Sequence, residues 1–248
     1  MTQALANKTI LITGAAHRIG AHMAKTLHQQ GANIVLHYRN SKTTAEILQT
    51  ELHAERPDSV FLVQGDLLDV GTIDHVVEQT IQQAGQLDVL INNASSFYPT
   101  SIGSVTEQHW DDLVGTNMKA PFFLSQAAAP ALKKQHGCIV NIVDIHAERP
   151  LRQHPVYSMA KAGLVMMTRA LACELGPEVR VNAIAPGAIL WPDTDMDEAT
   201  REKIISRTFL KRKGDPHDIA KTALFLIRDA TYMSGQVLTV DGGRSLNS

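Results

Sequence analysis

Short runs of Ile, Val and Leu recur along the chain, separated by longer stretches in which apolar positions return every three or four residues. The runs fall at residues 9–13, 33–38, 60–64, 89–92, 138–143, 179–184 and 236–240. Their apolar character is nearly continuous, which suits strands buried on both faces of a parallel sheet. Helical periodicity covers residues 18–30, 44–56, 73–84, 107–135, 156–174 and 216–228. Strand and helix alternate from end to end. The pattern predicts an α/β fold: one doubly wound parallel sheet of about seven strands, joined by right-handed crossovers, with helices on both faces. No repeat, low-complexity tract or composition shift marks a linker, so residues 1–248 are expected to form a single domain. The least regular stretch, 185–213, mixes Pro, Gly and charges, with a short helix expected around 198–207. Because it follows a strand, residues 188–213 are candidates for a segment that covers substrate, the alternative being a plain connection.

Composition changes this picture little. Of 248 residues, 44% are apolar and 19% charged, enough for a sizeable core. The net charge of -2 offers no broad attraction to nucleic acid or an anionic membrane. Cys138 and Cys173 form no CxxC pattern, and the histidines fall in no HExxH or similar spacing, so neither a disulfide framework nor a metal site is expected. The first residues lack a leader pattern, and no apolar run reaches the roughly 18 residues needed to span a membrane. A cytoplasmic location is the resulting expectation.

Candidate chemistry gathers at the expected carboxyl ends of the strands. The first run leads into Gly14-Ala15-Ala16-His17-Arg18-Ile19-Gly20 and then an amphipathic helix. Gly14 suits a tight turn, Gly20 suits close packing, and the helix start offers N–H groups to a pyrophosphate. Arg18 stands where related loops often carry a middle glycine, and its guanidinium suits a phosphate. The second run ends in His37-Tyr38-Arg39-Asn40-Ser41, without the acid that commonly bonds the ribose of NAD. A cation and hydroxyls there favour the 2′-phosphate of NADP, although a polar turn would look the same. Asp66 and Leu67 follow the third run and Asn93-Ala94-Ser95 the fourth, placed for adenine and ribose contacts or for simple turn chemistry. Pro186 and Gly187 follow the sixth, where they would wall the nicotinamide.

Tyr157 and Lys161 stand four apart at the start of an expected helix, on one face. A nearby ammonium would lower the phenol's pKa and fit the tyrosine for proton transfer. Asp144 ends the fifth run beside them, either as part of this group or as a turn cap. Asn117 lies inside the long 107–135 pattern, where it bends the helix, holds a water for Lys161, or is merely exposed.

Taken together, TGAAHRIG, NNAS, Asn117, YSMAK, VRVNAIAPG and the closing VDGG resemble the short-chain dehydrogenase/reductase family over nearly the whole chain. That resemblance implies a single Rossmann-type domain in a homotetramer or dimer built on the 107–135 and 156–174 helices. Most members carry Ser at the place of Asp144 and Gly at that of Arg18. Both departures, with HYRNS and NASSFYPT, resemble the pteridine reductases. By this resemblance Arg18 lies near cofactor phosphate and substrate, Phe97 sandwiches a pterin against nicotinamide, Ser95 touches both ligands, and Asp144 and Tyr157 bond the pterin. Gly187 and Trp191 are further candidates for the substrate side; ordinary loop packing would also account for Trp191. The expected activity is NADPH-dependent reduction of biopterin, dihydrobiopterin, dihydromonapterin, folate or dihydrofolate. A carbonyl reductase acting on 3-oxoacyl thioesters is the first alternative. A non-catalytic NADP-binding regulatory protein is the second.

Overall fold

A computed structural model describes residues 4–191 and 196–247. Seven strands, Thr9–Ile12 (β1), Asn33–Tyr38 (β2), Val60–Gln64 (β3), Val89–Asn92 (β4), Cys138–Ile142 (β5), Arg180–Pro186 (β6) and Val237–Val240 (β7), form one sheet. Every pairing is parallel and the order is β3-β2-β1-β4-β5-β6-β7. The order reverses between β1 and β4, whose neighbours lie on opposite sides. At such a switch point the connections leaving the two strands diverge and open a crevice beyond the carboxyl edge.

The near-continuous apolar runs have a direct structural cause. Along β1, Ile10 and Ile12 pack on one face of the sheet while Leu11 packs on the other, and all three are fully buried. The Ile10 face is covered by Arg18–Gln29 (α1), Lys42–Glu55 (α2) and Pro216–Arg228 (α8), through Met23, Leu27, Leu52, Ile219 and Leu226. The Leu11 face is covered by Val70–Ala84 (α3), Ala120–Lys134 (α5) and Pro155–Leu175 (α6), through Ile73, Val76, Leu124, Leu132 and Leu164. Each of these large side chains adds about 1.5–3 kcal/mol by leaving water. Two covered faces leave the strand ends as the place where polar chemistry can sit.

The sequence pattern fails in one informative place. The expected 107–135 helix is split into Glu107–Val114 (α4), a π-helical turn at Gly115–Lys119, and α5. Asn117 explains the break. Its side-chain amide donates to the Leu113 carbonyl (2.9 Å), a group an α-helix would pair with a backbone N–H, and to Ser96 O (2.9 Å). Side chains that enter the backbone ladder in this way force a local π-turn. Helix α3 also starts earlier than its periodicity suggests, because the Asp69 side chain accepts from Gly71 N and caps it. The remaining helix, Glu198–Ser206 (α7), begins at the Asp197 cap, close to its expected place. Residues 192–195 of the expected covering segment lie outside the described residues. Among the described residues no helix is long and apolar enough to cross a membrane.

Candidate active site

The crevice at the switch point is a cavity of about 840 Å³ running along the strand ends. Gly14, at φ 61°, turns the chain off β1, and a Cβ there would sit 3.1 Å from Ala94 Cα. A Cβ on Gly20 would lie 2.6 Å from Gly14 O, so α1 can approach the loop only with glycine at this position. His17, the N-cap of α1, makes no side-chain hydrogen bond to the first turn, which leaves the helix start open toward the cavity. Open N–H groups and the positive end of the helix dipole are suited to a phosphate.

Arg18 takes φ 56°, the left-handed conformation that favours glycine. For an L-residue that conformation costs on the order of 1–2 kcal/mol. The side chain lines the cavity and Nη2 donates to Trp191 O (3.2 Å), tying the first loop to the segment after β6. Arg18 thus takes a glycine's conformation where it lines the cavity beside the open start of α1.

His37 lies at the end of β2 and is almost wholly buried. Its Nδ1 accepts from Gly14 N (3.3 Å), which places the ring proton on Nε2 facing Gly65 O (3.1 Å). The ring therefore clips three strand ends together in its neutral form. Burial drives its pKa down from 6.5 to about 4, with the Gly65 contact and Asp66 opposing. Because the folded value lies below the unfolded one, His37 contributes stability that is complete above about pH 6.5 and is lost as pH falls toward 4. The unfolding free energy should drop by on the order of 3 kcal/mol across that window. Urea titrations at pH 7 and pH 4.5 check this, and His37→Asn should flatten the dependence. Beyond His37, Tyr38 is buried, whereas Arg39, Asn40 and Ser41 rim the cavity, with Arg39 Nη1 3.9 Å from Asp66 Oδ1. Leu67 lines the same end.

The loop after β4 is fastened to the loop after β1. Thr13 Oγ1 accepts from the N–H groups of Asn93 (2.9 Å) and Ala94 (3.0 Å), while Asn93 Nδ2 donates to Thr13 O (2.8 Å). Farther along, Ser95 Oγ donates to Asn117 Oδ1 (2.6 Å), so the π-turn holds this loop in place. Of the expectations for Asn117, the bent helix is realised, and full burial rules out an exposed side chain.

At the reacting end, Tyr157 donates to Asp144 Oδ2 (2.8 Å), and the other carboxylate oxygen accepts from His146 N (2.8 Å). Lys161 is buried, with Nζ donating to Ile142 O (2.9 Å) and lying 5.7 Å from the Tyr157 ring centre. Burial lowers the lysine's pKa from 10.5 to about 8, with Asp144 acting against it. The expected lowering of the tyrosine pKa is reversed. Burial, then the charge and hydrogen bond of Asp144, push Tyr157 well above 10, and only Ser95 pulls the other way. A lysine alone would favour phenolate, but burial and the bonded carboxylate keep the phenol protonated.

Phe97 projects into the cavity and is 46% exposed. His154 stacks on it (4.7 Å between ring centres, 15° between planes), and Tyr157 meets it edge-on at 4.8 Å. Pro186, Gly187 and Trp191 line the wall after β6. A Cβ at Gly187 would come within 2.6 Å of Asp241 Cβ, so this glycine also lets β7 close against the loop.

Sequence reasoning missed His154 and Arg244, both of which line the cavity. His154 precedes Pro155, the first residue of α6, and that X-Pro helix start was a usable signal. Arg244 directly follows the closing VDGG motif, but nothing in the local pattern says that the chain end returns to the strand edge.

A single crevice thus brings a dinucleotide-type loop against a tyrosine-lysine pair, and comparison with known proteins gives that combination its family. A family model described as enoyl-(acyl carrier protein) reductase matches residues 14–245. The chain belongs to the short-chain dehydrogenase/reductase family, oxidoreductases that use nicotinamide dinucleotides. It is 35% identical over 240 residues to a 3-oxoacyl-(acyl-carrier-protein) reductase of Staphylococcus aureus, covering 95% of this chain and 97% of that one. It is 34% identical to pteridine reductase 1 of Leishmania tarentolae, covering 99% of each. A hydroxy(phenyl)methylsuccinyl-CoA dehydrogenase subunit of Thauera aromatica shares 38% over 97% of each chain. A protein of Staphylococcus epidermidis, 33% identical over 241 residues, is likewise named a 3-oxoacyl-(acyl-carrier-protein) reductase.

Proposed function

We propose that the protein is an NADPH-dependent pteridine reductase, and the observation that carries this is the carboxylate of Asp144 hydrogen-bonded to the Tyr157 hydroxyl. Identities of 34% and 35% do not separate the two substrate classes, so the chemistry of the site decides between them. A ketone reduction builds negative charge on oxygen and calls for donors around it. A carboxylate beside the proton donor opposes that charge. A pterin instead presents an amino group and ring N–H groups, for which a carboxylate is the fitting acceptor. Phe97 supplies an apolar face for a flat ring, and His154 supports it by stacking.

The residues fit a dinucleotide. The glycine cradle at Gly14 and Gly20 would be filled by any Cβ, and the first turn of α1 is open. Ile19, Asn93, Ala94 and Ser95 would border the cofactor's path, Asp66 and Leu67 would border the adenine, and Lys161 would hold the ribose. Arg18, Arg39 and Ser41 give the cations and hydroxyl suited to phosphates, including the extra 2′-phosphate. When bound, the reduced nicotinamide supplies the hydride. Tyr157, kept protonated by burial and Asp144, gives its proton to the ring nitrogen next to the carbon reduced. Asp144 orients the ring through its donors, Phe97 stacks on it, and Asn117 fixes Ser95 at the junction between cofactor and substrate. Assembly into a homotetramer through α4–α6 belongs to the same proposal and is supported by the exposed Trp110, Phe122, Met159 and Met166.

A 3-oxoacyl thioester reductase is the second possibility, favoured by the names of several relatives. Single-turnover oxidation of NADPH and of NADH with dihydrobiopterin, dihydromonapterin, dihydrofolate and acetoacetyl thioester separates the two. The pterins should react, with NADPH preferred. Turnover of the thioester alone would reject the pterin assignment.

A further inference from the structure

The last described residues of the chain bring a cation into the substrate end of the cavity. Beyond β7 the backbone passes through Gly242 (φ 62°) and Gly243 (φ 81°) and closes into a 3-10 turn at Arg244–Leu246. A Cβ on Gly242 would lie 2.7 Å from Thr208 Cγ2, and one on Gly243 would lie 2.9 Å from Phe209 Cδ2, so glycine is needed for this approach to the chain after α7. Asp241 fixes the turn from within by accepting from Gly243 N (2.8 Å) and Ser245 N (2.6 Å), the residues on either side of Arg244. Burial works against the Asp241 carboxylate, but these donors hold its pKa below the ordinary value. Asn247 ties the turn to the end of α7 through Arg207 O (3.0 Å).

The side chain so presented is partly buried and lines the same cavity as Asp144, Trp191, Met196 and Ile204. Among the described residues its guanidinium has no hydrogen bond and no carboxylate within ion-pair distance. Asp144 and Asp241 act on it electrostatically from farther away, Asp144 while bonded to Tyr157 and His146 N and Asp241 while bonded to the turn. Arg207 adds a second positive charge from the neighbouring element. A cation withdrawn from water beside apolar walls without a partner is costly. An anion arriving with the substrate offsets that cost through charge-assisted bonds.

We propose that Arg244 is a specificity-determining residue that binds an anionic group on the substrate's tail, beyond the ring held by Phe97 and Asp144. Resting on the pterin assignment, the group is a carboxylate such as the glutamyl end of a pteroylglutamate. Were the substrate a thioester, the same chemistry would come from a carrier phosphate. The measurement compares charged and neutral ligands within each class, by calorimetry on the NADP⁺-loaded protein. Folate is set against biopterin, and acetoacetyl-CoA against acetoacetyl-N-acetylcysteamine. Arg244→Gln should weaken folate binding about 10- to 100-fold, in line with the loss of a charged hydrogen bond, and leave biopterin binding unchanged. Arg244→Lys should recover part of the loss. Equal weakening of charged and neutral ligands would overturn the proposal, because it would show that Arg244 acts only through Asp144 or the local packing. No weakening of either would overturn it as well. If neither pteridine binds the wild-type protein, the pterin assignment fails by itself, and Arg244 is judged on the thioester pair by the same criterion.

Discussion

Tyr157→Phe should reduce single-turnover pterin reduction about 100- to 10,000-fold, the range typical of losing a positioned general acid. NADPH affinity should stay where it is, because the phenol oxygen is committed to Asp144 and the cofactor loop is fastened by His37, Asn93 and Thr13 instead. The structure sharpens what the tyrosine does. Its pKa is raised, not lowered, so the hydroxyl stays protonated well into the alkaline range. That state suits an enzyme that donates a proton during reduction and disfavours the reverse reaction, which needs a phenolate base. The wild-type rate should therefore show no loss of activity from tyrosine ionisation across the neutral range. A variant that keeps its rate would show that the proton comes from elsewhere, for example from water.

Asp144→Ser is expected to change the substrate as well as the rate. Two of the three influences that raise the Tyr157 pKa come from this carboxylate, its charge and its hydrogen bond; burial would remain. With serine the phenol becomes easier to ionise, and a hydroxyl donor replaces an acceptor at the reacting edge. Pterin kcat/KM should fall about 10- to 100-fold, the scale of a lost charged hydrogen bond. Acetoacetyl thioester turnover should rise, since the developing oxyanion no longer faces a carboxylate. A variant that loses both activities while remaining folded would mean that Asp144 serves mainly to hold the Ile145–Ala147 turn, through its bond to His146 N.

The sheet was legible because the central strands β1, β4 and β5 are buried on both faces, which makes their sequences mainly apolar. The residues at the strand ends were legible for a related reason. Once the strands are placed, Gly14, Arg39, Asp66, Asn93, Asp144 and Gly187 must share one edge, and the structure brings all of them around one cavity. What escaped depended on contacts between segments far apart in the chain. Asn117 looks like a poor helix residue until Leu113 O and Ser96 O are seen to claim its amide. His37 reads in the sequence as one residue of a cofactor-side turn, and only the structure shows both its ring nitrogens engaged with Gly14 and Gly65. The sign of the Tyr157 shift was missed because spacing reveals the lysine, whereas burial, the largest cause of the shift, shows only in the fold. Arg244 was invisible because only the tertiary path of the chain end sets it opposite Asp144.

These features converge on one claim, that a carboxylate-tyrosine pair at the end of a dinucleotide crevice reduces a ring that offers hydrogen-bond donors. Stopped-flow oxidation of NADPH with dihydrobiopterin and acetoacetyl thioester in parallel tests it most directly. A fast transient with the pterin and a slow or absent one with the thioester is the predicted result. The opposite order would contradict it.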